Sequence, residues 1–306
     1  MKKQTTLAAA LVLGLAAPAF AQDGFRVGIQ AGSMKTTGEA GQFATVPQGG
    51  LNNAIGYDFD QATQAPLALD LAYVKGDDEW SLTYFTTKKK TDKTIIDATN
   101  GVFLGSSIIF ITADAGLTGS RELKATVIDL AWKHTLVKGD TGAFAFSAGL
   151  RYSKQSDERS YIQVDPSGTP NQGTLHMKGT GTGFGLTAGL HGRMNFTDRM
   201  WLTTGFTAAM LNNTAKSDDY TATNLPPFGD SSYTSEDTHS SLLQTDAYLR
   251  FNMTFVKSFN GYLGYEVRDF NKDAVKTSPN FLSGSGFPAT SGFGLAGFTL
   301  GLSYTF

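Results

Sequence analysis

The chain ends in Gly297-Phe-Thr-Leu-Gly-Leu-Ser-Tyr-Thr-Phe306, a stretch with an apolar side chain at every second position. The apolar positions are Phe298, Leu300, Leu302, Tyr304 and Phe306. A period of two is typical of a β-strand with one apolar face. Because a flat apolar strand at a sheet edge promotes aggregation, we expect this strand to close a barrel and to turn its apolar face to lipid.

The first residues have the pattern of an export signal. Lys2 and Lys3 precede an apolar run from Leu7 to Ala17, and Ala19-Phe-Ala21 follows it. A basic start, a short apolar run and an A-x-A motif are typical of a secretory signal peptide, with a retained anchor as the alternative. We therefore predict a signal peptide over residues 1–21 and a mature domain over residues 22–306, exported through the periplasm to the bacterial outer membrane.

Composition narrows the class of protein further. The chain has 35 Gly and 12% aromatic residues, and only 17% of its residues are charged, below the typical value of about 25%. It has no Cys, which excludes disulfides and thiolate metal sites. The net charge of −2 gives no reason to expect a nucleic-acid partner. After the leader, the densest apolar run spans residues 107–112, far short of the roughly 20 residues of a spanning helix.

Alternating segments recur along the mature chain, and short and long connections take turns between them. Short turns fall at residues 75–78, 138–141, 197–199 and 257–260. This pattern predicts an all-β fold, a single transmembrane antiparallel up-and-down β-barrel of about ten strands with short periplasmic turns and long extracellular loops. The predicted strands, of roughly 9–12 residues, centre on 25–32, 67–73, 80–84, 128–132, 144–152, 184–194, 201–210, 243–255, 263–267 and 297–306.

Aromatic residues cluster beside the predicted short turns, as an aromatic belt at one membrane interface requires. They are Tyr73, Trp80, Trp132, Phe144, Phe196, Phe255 and Tyr304.

The segment from Lys88 to Arg121 allows an alternative strand count. Residues 94–97 and 102–104 resemble the arms of a hairpin around Asn100-Gly101. If this segment crosses the membrane, the barrel has twelve strands. Because it lacks clean alternation, we favour a long extracellular loop or hairpin, or a loop folded into the lumen.

Strand parity also predicts which side chains face the lumen. Two interpretations stay open for them: they pair and plug the interior, because an unpaired buried charge is costly, or they line a small pore and set its ion preference. The pore-lining candidates are Arg26, Asp70, Asp129, Lys133, Arg151, His191, Arg193, Asp246, Arg250, Glu266 and Arg268.

The sequence contains no convincing catalytic or metal-binding constellation. Of its four histidines, His239 lies near Ser240 and Asp237, but serines and acids are common in loops. No His pair has the spacing of a metal motif. We therefore expect no enzymatic activity, no metal and no cofactor.

Two resemblances extend this interpretation. The closing residues Phe298, Leu300, Leu302, Tyr304 and Phe306 resemble the C-terminal signal of bacterial outer-membrane barrels, which implies recognition by the barrel-assembly machinery. Five further segments resemble the Legionella-type major outer-membrane protein family of pore-forming barrels: 78–86, 127–130, 147–152, 183–190 and 297–300.

The second resemblance implies a porin-like channel for passive diffusion of ions or small solutes, surrounded by outer-membrane lipid and lipopolysaccharide. Asp129 and Arg151 match motif positions, and we expect them to form an interior ion pair. The alternative is a plugged structural or adhesion barrel, whose long loops mediate surface interactions. The solute, the oligomeric state and the role of residues 88–121 do not follow from the sequence.

Overall fold

The computed structural model describes residues 23–37, 45–46, 63–96, 101–104, 107–109, 116–164, 174–225, 229–233, 236–271, 274–276 and 290–306. The predicted signal peptide, residues 1–21, lies outside this part of the chain and stays a prediction.

Ten long strands, numbered β1 to β10 in chain order, form a closed antiparallel barrel. Each strand pairs with the next one along the chain, and β10 pairs with β1. The predicted up-and-down barrel of ten strands is therefore confirmed, and the alternative of twelve is wrong. The strands are β1 Gly24–Thr37, β2 Leu67–Lys75, β3 Asp78–Ile96, β4 Gly116–Gly139, β5 Gly142–Val164, β6 Thr174–Thr197, β7 Met200–Leu225, β8 Glu236–Val256, β9 Phe259–Asp269 and β10 Gly294–Thr305.

Shorter strands lie in the long connections. Thr63–Gln64 pairs with β1, and Gly229–Tyr233 pairs with the end of β7 outside the ring. Val275–Lys276 pairs with Thr290–Ser291. A separate three-stranded sheet contains Thr45–Val46, Gly101–Leu104 and Ser107–Ile109.

The predicted hairpin around Asn100-Gly101 is wrong in its pairing. Residues 94–96 continue β3 and pair with residues 116–118 of β4. Gly101–Leu104 pairs with Ser107–Ile109 instead. The first arm of the expected hairpin is already paired within the β3–β4 ladder, so the second arm pairs with Ser107–Ile109.

Six central strands are much longer than predicted. Strands β3 to β8 have 19 to 26 residues. Residues 155–164, 174–178, 212–225 and 236–240, which lie between the predicted strands and were expected as connections, therefore continue the wall. Their backbone ladders persist although the outer side chains become polar. The sequence signal ended where the apolar face ended, because backbone pairing does not require an apolar side chain.

The outer face is apolar around the barrel. On β2, the side chains of Leu69 and Leu71 are 45% and 50% exposed, whereas Ala68 and Ala72 between them are 4% exposed. The predicted aromatic belt is present near the short turns, where rings pair on the outside, as in the contact of Trp80 with Trp132 at 6.2 Å between centroids. A band of exposed apolar side chains on a closed sheet is the pattern of a barrel surrounded by lipid.

The seam between β1 and β10 closes at the last residue. Their register runs from Arg26 opposite Thr305 to Thr37 opposite Gly294, and the Phe306 amide donates to the Phe25 carbonyl at 2.8 Å. A Cβ on Gly24, whose φ is +154°, would lie 2.3 Å from the Phe306 carbonyl oxygen. Glycine is therefore required where the start of β1 meets Phe306.

Among the described residues, no helix has the length and hydropathy that a membrane crossing requires.

Candidate functional site

The barrel interior is the candidate site, and its two halves differ. We call the half nearer the short turns the lower lumen and the half nearer the long connections the upper lumen. Every strand contributes side chains to the interior at alternate positions, because the pleat of a strand turns successive residues to opposite faces.

A charged network occupies the lower lumen. Arg26 of β1 lies 2.9 Å from Glu79 of β3 and 3.4 Å from Asp70 of β2. Lys133 of β4 lies 2.8 Å from Glu79. These side chains are 14% to 33% exposed, so water reaches them from the short-turn end.

A second network crosses the middle of the barrel. Arg151 of β5 makes a bidentate pair with Asp129 of β4, with nitrogen–oxygen distances of 2.7 and 2.8 Å. The same guanidinium contacts Asp246 of β8. Strand β8 is three positions from β5 around the barrel, so this contact crosses the interior. The expected ion pair of Asp129 and Arg151 is therefore present. The Arg151 side chain is only 2% exposed, so the centre of this network is shielded from water.

A third network is built on aromatic rings. The Arg250 guanidinium stacks between Tyr248 at 4.3 Å and Tyr262 at 4.6 Å, and its Nε donates to Glu266 at 2.9 Å. Gln30 donates to the second Glu266 oxygen at 2.9 Å. Cation–π contacts and a buried carboxylate together hold the guanidinium in one orientation.

Two glycines make room for these tyrosines. A Cβ on Gly205 would lie 2.4 Å from the Tyr248 ring, and one on Gly301 would lie 2.1 Å from the Tyr262 ring. Both rings therefore lie flat on the neighbouring strand, and any larger residue at either glycine would displace them.

His191 joins the third network. Its Nε2 lies 2.8 Å from the Ser147 hydroxyl, and its Nδ1 lies 3.1 Å from the Tyr248 hydroxyl. A nucleophilic triad places a carboxylate at the second ring nitrogen, and here a phenol occupies that position. His239, the other histidine considered, contacts Thr214 at 3.0 Å.

Of the two remaining candidates, Arg193 lies apart from these networks and Arg268 adjoins the third one through Glu266. Arg193 is near the short turns, where it stacks on Trp201 at 4.5 Å and donates to Asn195 at 2.7 Å. Arg268 stacks on Phe85 at 4.1 Å and lies 3.6 Å from Glu266. All eleven candidates thus fall on the inner face, but whether they line an open pore stays a prediction.

An inner segment, residues 270–271 and 274–276, occupies the upper lumen. The Phe270 side chain is 1% exposed, and its ring lies 6.3 Å from Phe85 and 5.2 Å from Phe293. The Phe270 carbonyl accepts from the side chains of Gln155 and Gln244, each at 3.3 Å. This segment belongs to the β9–β10 connection and is not part of the wall.

The inner segment also approaches the β6 backbone closely. The Ala274 carbonyl oxygen lies where a Cβ on Gly181 would be, at 1.7 Å, and it accepts from Asn213 at 3.2 Å. The glycine at position 181 therefore makes room for the backbone of the inner segment. A connection folded into the lumen was considered only for residues 88–121, and the inner segment belongs to a different connection.

A buried cluster lies beyond the apolar layer, in the extension of β4 and β5. Asp157 lies 2.6 Å from Arg121 and 2.7 Å from Arg159, and its side chain is 2% exposed. Burial alone would raise the pKa of the Asp157 carboxyl, but the charges of Arg121 and Arg159 outweigh burial and hold that pKa below its usual range.

Several interior residues were missed from the sequence. Glu79 alternates with the outward residues Trp80 and Leu82, so its side chain faces inward. It was missed because it lies at the edge of the predicted strand. Tyr248 and Tyr262 share the parity of Arg250, which could have identified them. Arg121, Asp157 and Arg159 lay in or at the edge of segments predicted as connections, so no parity was assigned to them. The described residues contain no group of three metal-ligating side chains.

The chain was compared with known proteins. No family model and no curated protein matches it, so the resemblance to the Legionella-type family stays a prediction. The outer-membrane protease OmpT from Escherichia coli matches with a TM-score of 0.48 at 13% identity, covering 95% of this chain and 99% of that one.

Two outer-membrane proteins of other kinds match as well. The Pseudomonas putida toluene transporter TodX matches with a TM-score of 0.38 at 11% identity, covering 94% of this chain and 91% of that one. A major outer membrane protein from Thermus thermophilus has a TM-score of 0.35 at 11% identity, covering 92% and 99%. These similar structures are outer-membrane β-barrels with different activities, and the similarity carries no inference about which activity this chain has.

Proposed function

We propose that the protein is a porin-like channel of the bacterial outer membrane, for passive diffusion of ions or small solutes, and that the described state is closed. One observation carries the proposal: the upper lumen is filled by the inner segment, which is not a wall strand. Displacing Phe270 and its neighbours would leave all ten ladders intact. In this proposal the short turns face the periplasm.

The polar interior supports a hydrated path. Within the described residues, buried polar atoms of Asp246, Arg268 and Thr299 have no protein partner. Buried polar groups are nearly always hydrogen-bonded, to protein or to water. Such atoms along the lumen are therefore consistent with water inside the barrel.

The balance of charge favours anions only slightly. The predicted candidates include six cations and four anions, and Glu79 adds a fifth anion. Because most of these charges are paired, we propose weak ion selectivity.

Planar-bilayer recording on the refolded protein tests the proposal. We expect infrequent discrete openings for the unmodified protein and more frequent ones for the double variant Phe270→Ala, Phe293→Ala, which removes aromatic rings from the upper lumen. The control is Phe298→Ala, which removes a ring that is 63% exposed on the outer face and should leave the openings unchanged. Absence of discrete conductance in all three proteins would refute a channel.

The Arg151 network favours a second candidate function, a permanently closed barrel whose long loops mediate surface interactions. Its members belong to wall strands, so no segment movement removes them. Strands β3 to β8 would then form a tall extracellular wall. Under this alternative, the double variant stays silent in the bilayer, and deletion of residues 226–235 weakens binding to a host cell or protein partner.

We propose no catalytic role for the chain. Ser147 with His191 and Ser160 with His176 each make a contact of the nucleophile–base kind at 2.8 Å. The first is completed by Tyr248 instead of a carboxylate. A screen against lipid and peptide substrates, compared with His191→Ala and His239→Ala, tests this. Activity lost in either variant would contradict it.

We also propose that the C-terminal strand is the segment recognised by the barrel-assembly machinery. Phe298 and Leu300 are 63% and 58% exposed on the outer face, where a recognition factor can reach them before insertion. Deleting Phe306 should reduce assembly in cells, measured as folded protein in outer-membrane fractions. Unchanged assembly would contradict the proposal.

A further inference from the structure

The outer face of β3, β4 and β5 changes character within three rows of paired residues. Tyr84, Ile128 and Tyr152 form the last apolar row. In the next row Thr86 pairs with Thr126. Lys154 of β5 is already in that row, and Lys88 and Lys124 lie in the row beyond it. The outward row after that contains Lys90, Glu122 and Glu158.

Lys88 and Lys124 are direct partners across the β3–β4 ladder, and Lys154 is the partner of Thr126 on β5. Like charges directly opposite one another destabilise a sheet. The arrangement is therefore costly in the isolated protein unless an anion lies against it.

The protein itself supplies only part of the negative charge that would balance these lysines. Glu122 lies 3.1 Å from the Lys88 ammonium and 2.6 Å from the Lys124 ammonium, so one carboxylate serves two cations. Among the described residues, no ion pair involves Lys154. The Lys88 and Lys124 side chains remain 59% and 45% exposed, so both can take a second anionic partner.

The position of the lysines identifies the partner. Lys88 is four residues beyond Tyr84, a distance of about 13 Å along a tilted strand. The polar headgroup layer begins at the edge of the apolar band. The lysines therefore lie at the level of lipid headgroups on the long-connection side of the barrel.

Strands β6, β7 and β8 lack lysines directly above the apolar band. At the upper edge of the apolar band on β6, β7 and β8, the outward residues are Thr182, Asn212, Thr214 and Ser241, which carry no charge. Outward lysines recur on β6 and β7 at Lys178 and Lys216, but only after two uncharged outward positions on each strand. On β3, β4 and β5 at most one uncharged outward position separates the apolar band from the first lysine.

We propose that Lys88, Lys124 and Lys154 form a site for the phosphate groups of a phosphorylated glycolipid in the outer leaflet, whose acyl chains lie on the apolar band below. The inference rests on the membrane insertion in the proposed function, but not on channel activity. Ammonium groups beside an apolar surface match a lipid with phosphates above its chains, whereas a soluble anion would gain nothing from that surface.

The test compares lipid retention by three folded proteins: unmodified, Lys88→Gln/Lys124→Gln/Lys154→Gln, and a control with Lys75→Gln/Lys138→Gln/Lys257→Gln. The control changes the same number of charges, at exposed positions near the short turns. Each protein is incubated in detergent with bisphosphorylated lipid A, its dephosphorylated form or phosphatidylcholine, and bound lipid is counted by native mass spectrometry.

We expect the unmodified and control proteins to retain bisphosphorylated lipid A at least about tenfold better than the first triple variant does. Dephosphorylated lipid should be retained weakly by all three, and an arginine version of the first triple variant should bind like the unmodified protein. Equal retention in all variants would overturn the site. Displacement by millimolar inorganic phosphate at an affinity equal to that of the lipid would show that the acyl chains contribute nothing, and would overturn the lipid assignment.

Membrane insertion is measured separately, by resistance of the barrel to protease in lipid vesicles. A protein that fails to insert contradicts the proposed function. A protein that inserts but retains no phosphorylated lipid contradicts this inference alone.

Discussion

The lower and upper lumen are filled by different parts of the chain. In the lower lumen, wall strands contribute charged side chains that water partly reaches. In the upper lumen, a connecting segment contributes aromatic rings and backbone that are almost fully buried. Side chains of wall strands stay in the lumen as long as the barrel is folded. The inner segment, in contrast, could be displaced without breaking the hydrogen bonds between wall strands. We therefore expect closure and stability to be separable in the upper lumen and coupled at the middle of the barrel.

The sharpest test of this coupling is Arg151→Met, a change that leaves Asp129 and Asp246 without their shared cation. Removing one partner of a buried charge network costs about 3–5 kcal/mol. We expect that loss in the free energy of unfolding, measured by urea titration in lipid vesicles. The control is Arg26→Met in the lower lumen, where the side chain is 29% exposed and the loss should be smaller. Equal losses of unfolding free energy in the two variants would contradict a difference between the lower lumen and the middle of the barrel.

The second test addresses the upper lumen. Phe270→Ala deletes a ring packed between Phe85 and Phe293, and such deletions cost about 3 kcal/mol or more when the site cannot collapse. If the inner segment is separable from the wall, this loss should appear as protease cleavage of residues 270–293 at denaturant concentrations that leave the barrel folded. A single transition in which segment and barrel unfold together would contradict the comparison.

The outer face provides the reference for both halves. Leu71→Arg places a charge within the apolar band and should cost about 2–4 kcal/mol, because the penalty is greatest near the membrane midplane. Thr86→Arg, outward but beyond the last apolar row, should cost about 1 kcal/mol or less. Similar values from urea titration in lipid would show that the inner and outer faces are wrongly assigned.

The smallest expected effect concerns pH. The folded pKa of Asp157 is below its unfolded value of about 3.9, so its ion pairs stabilise the fold above that pH and the contribution is lost as pH falls further. We expect a decrease on the order of 1 kcal/mol in acid, absent in Asp157→Asn. An unchanged acid slope in the variant, measured by thermal unfolding at several pH values, would contradict this assignment.

The apolar period of two was enough to predict the barrel, the strand count and the parity of the interior candidates. It worked because lipid imposes one apolar face on every strand, as on Leu69 and Leu71. It failed beyond the apolar band, where the sequence around Lys88 or Asp157 gives no such contrast although the ladder continues.

The filling of the lumen could not be predicted for another reason. Parity shows that Arg151 faces inward, but it does not show that Asp246 lies opposite, because that contact depends on the closure of ten strands. The position of Phe270 depends on a connection whose path has no periodic signal. A glycine such as Gly181 permits a close backbone approach, yet the sequence does not identify the approaching chain.

The seam between Gly24 and Phe306 has a consequence for the order of folding. Its contacts join residues near position 26 to residues near position 305, so they have almost the largest sequence separation that the chain allows. Contacts of that kind form late, because a long loop must be closed before they contribute. The cylinder therefore cannot be completed before β10 has been synthesised, and until then β1 lacks one of its two partner strands.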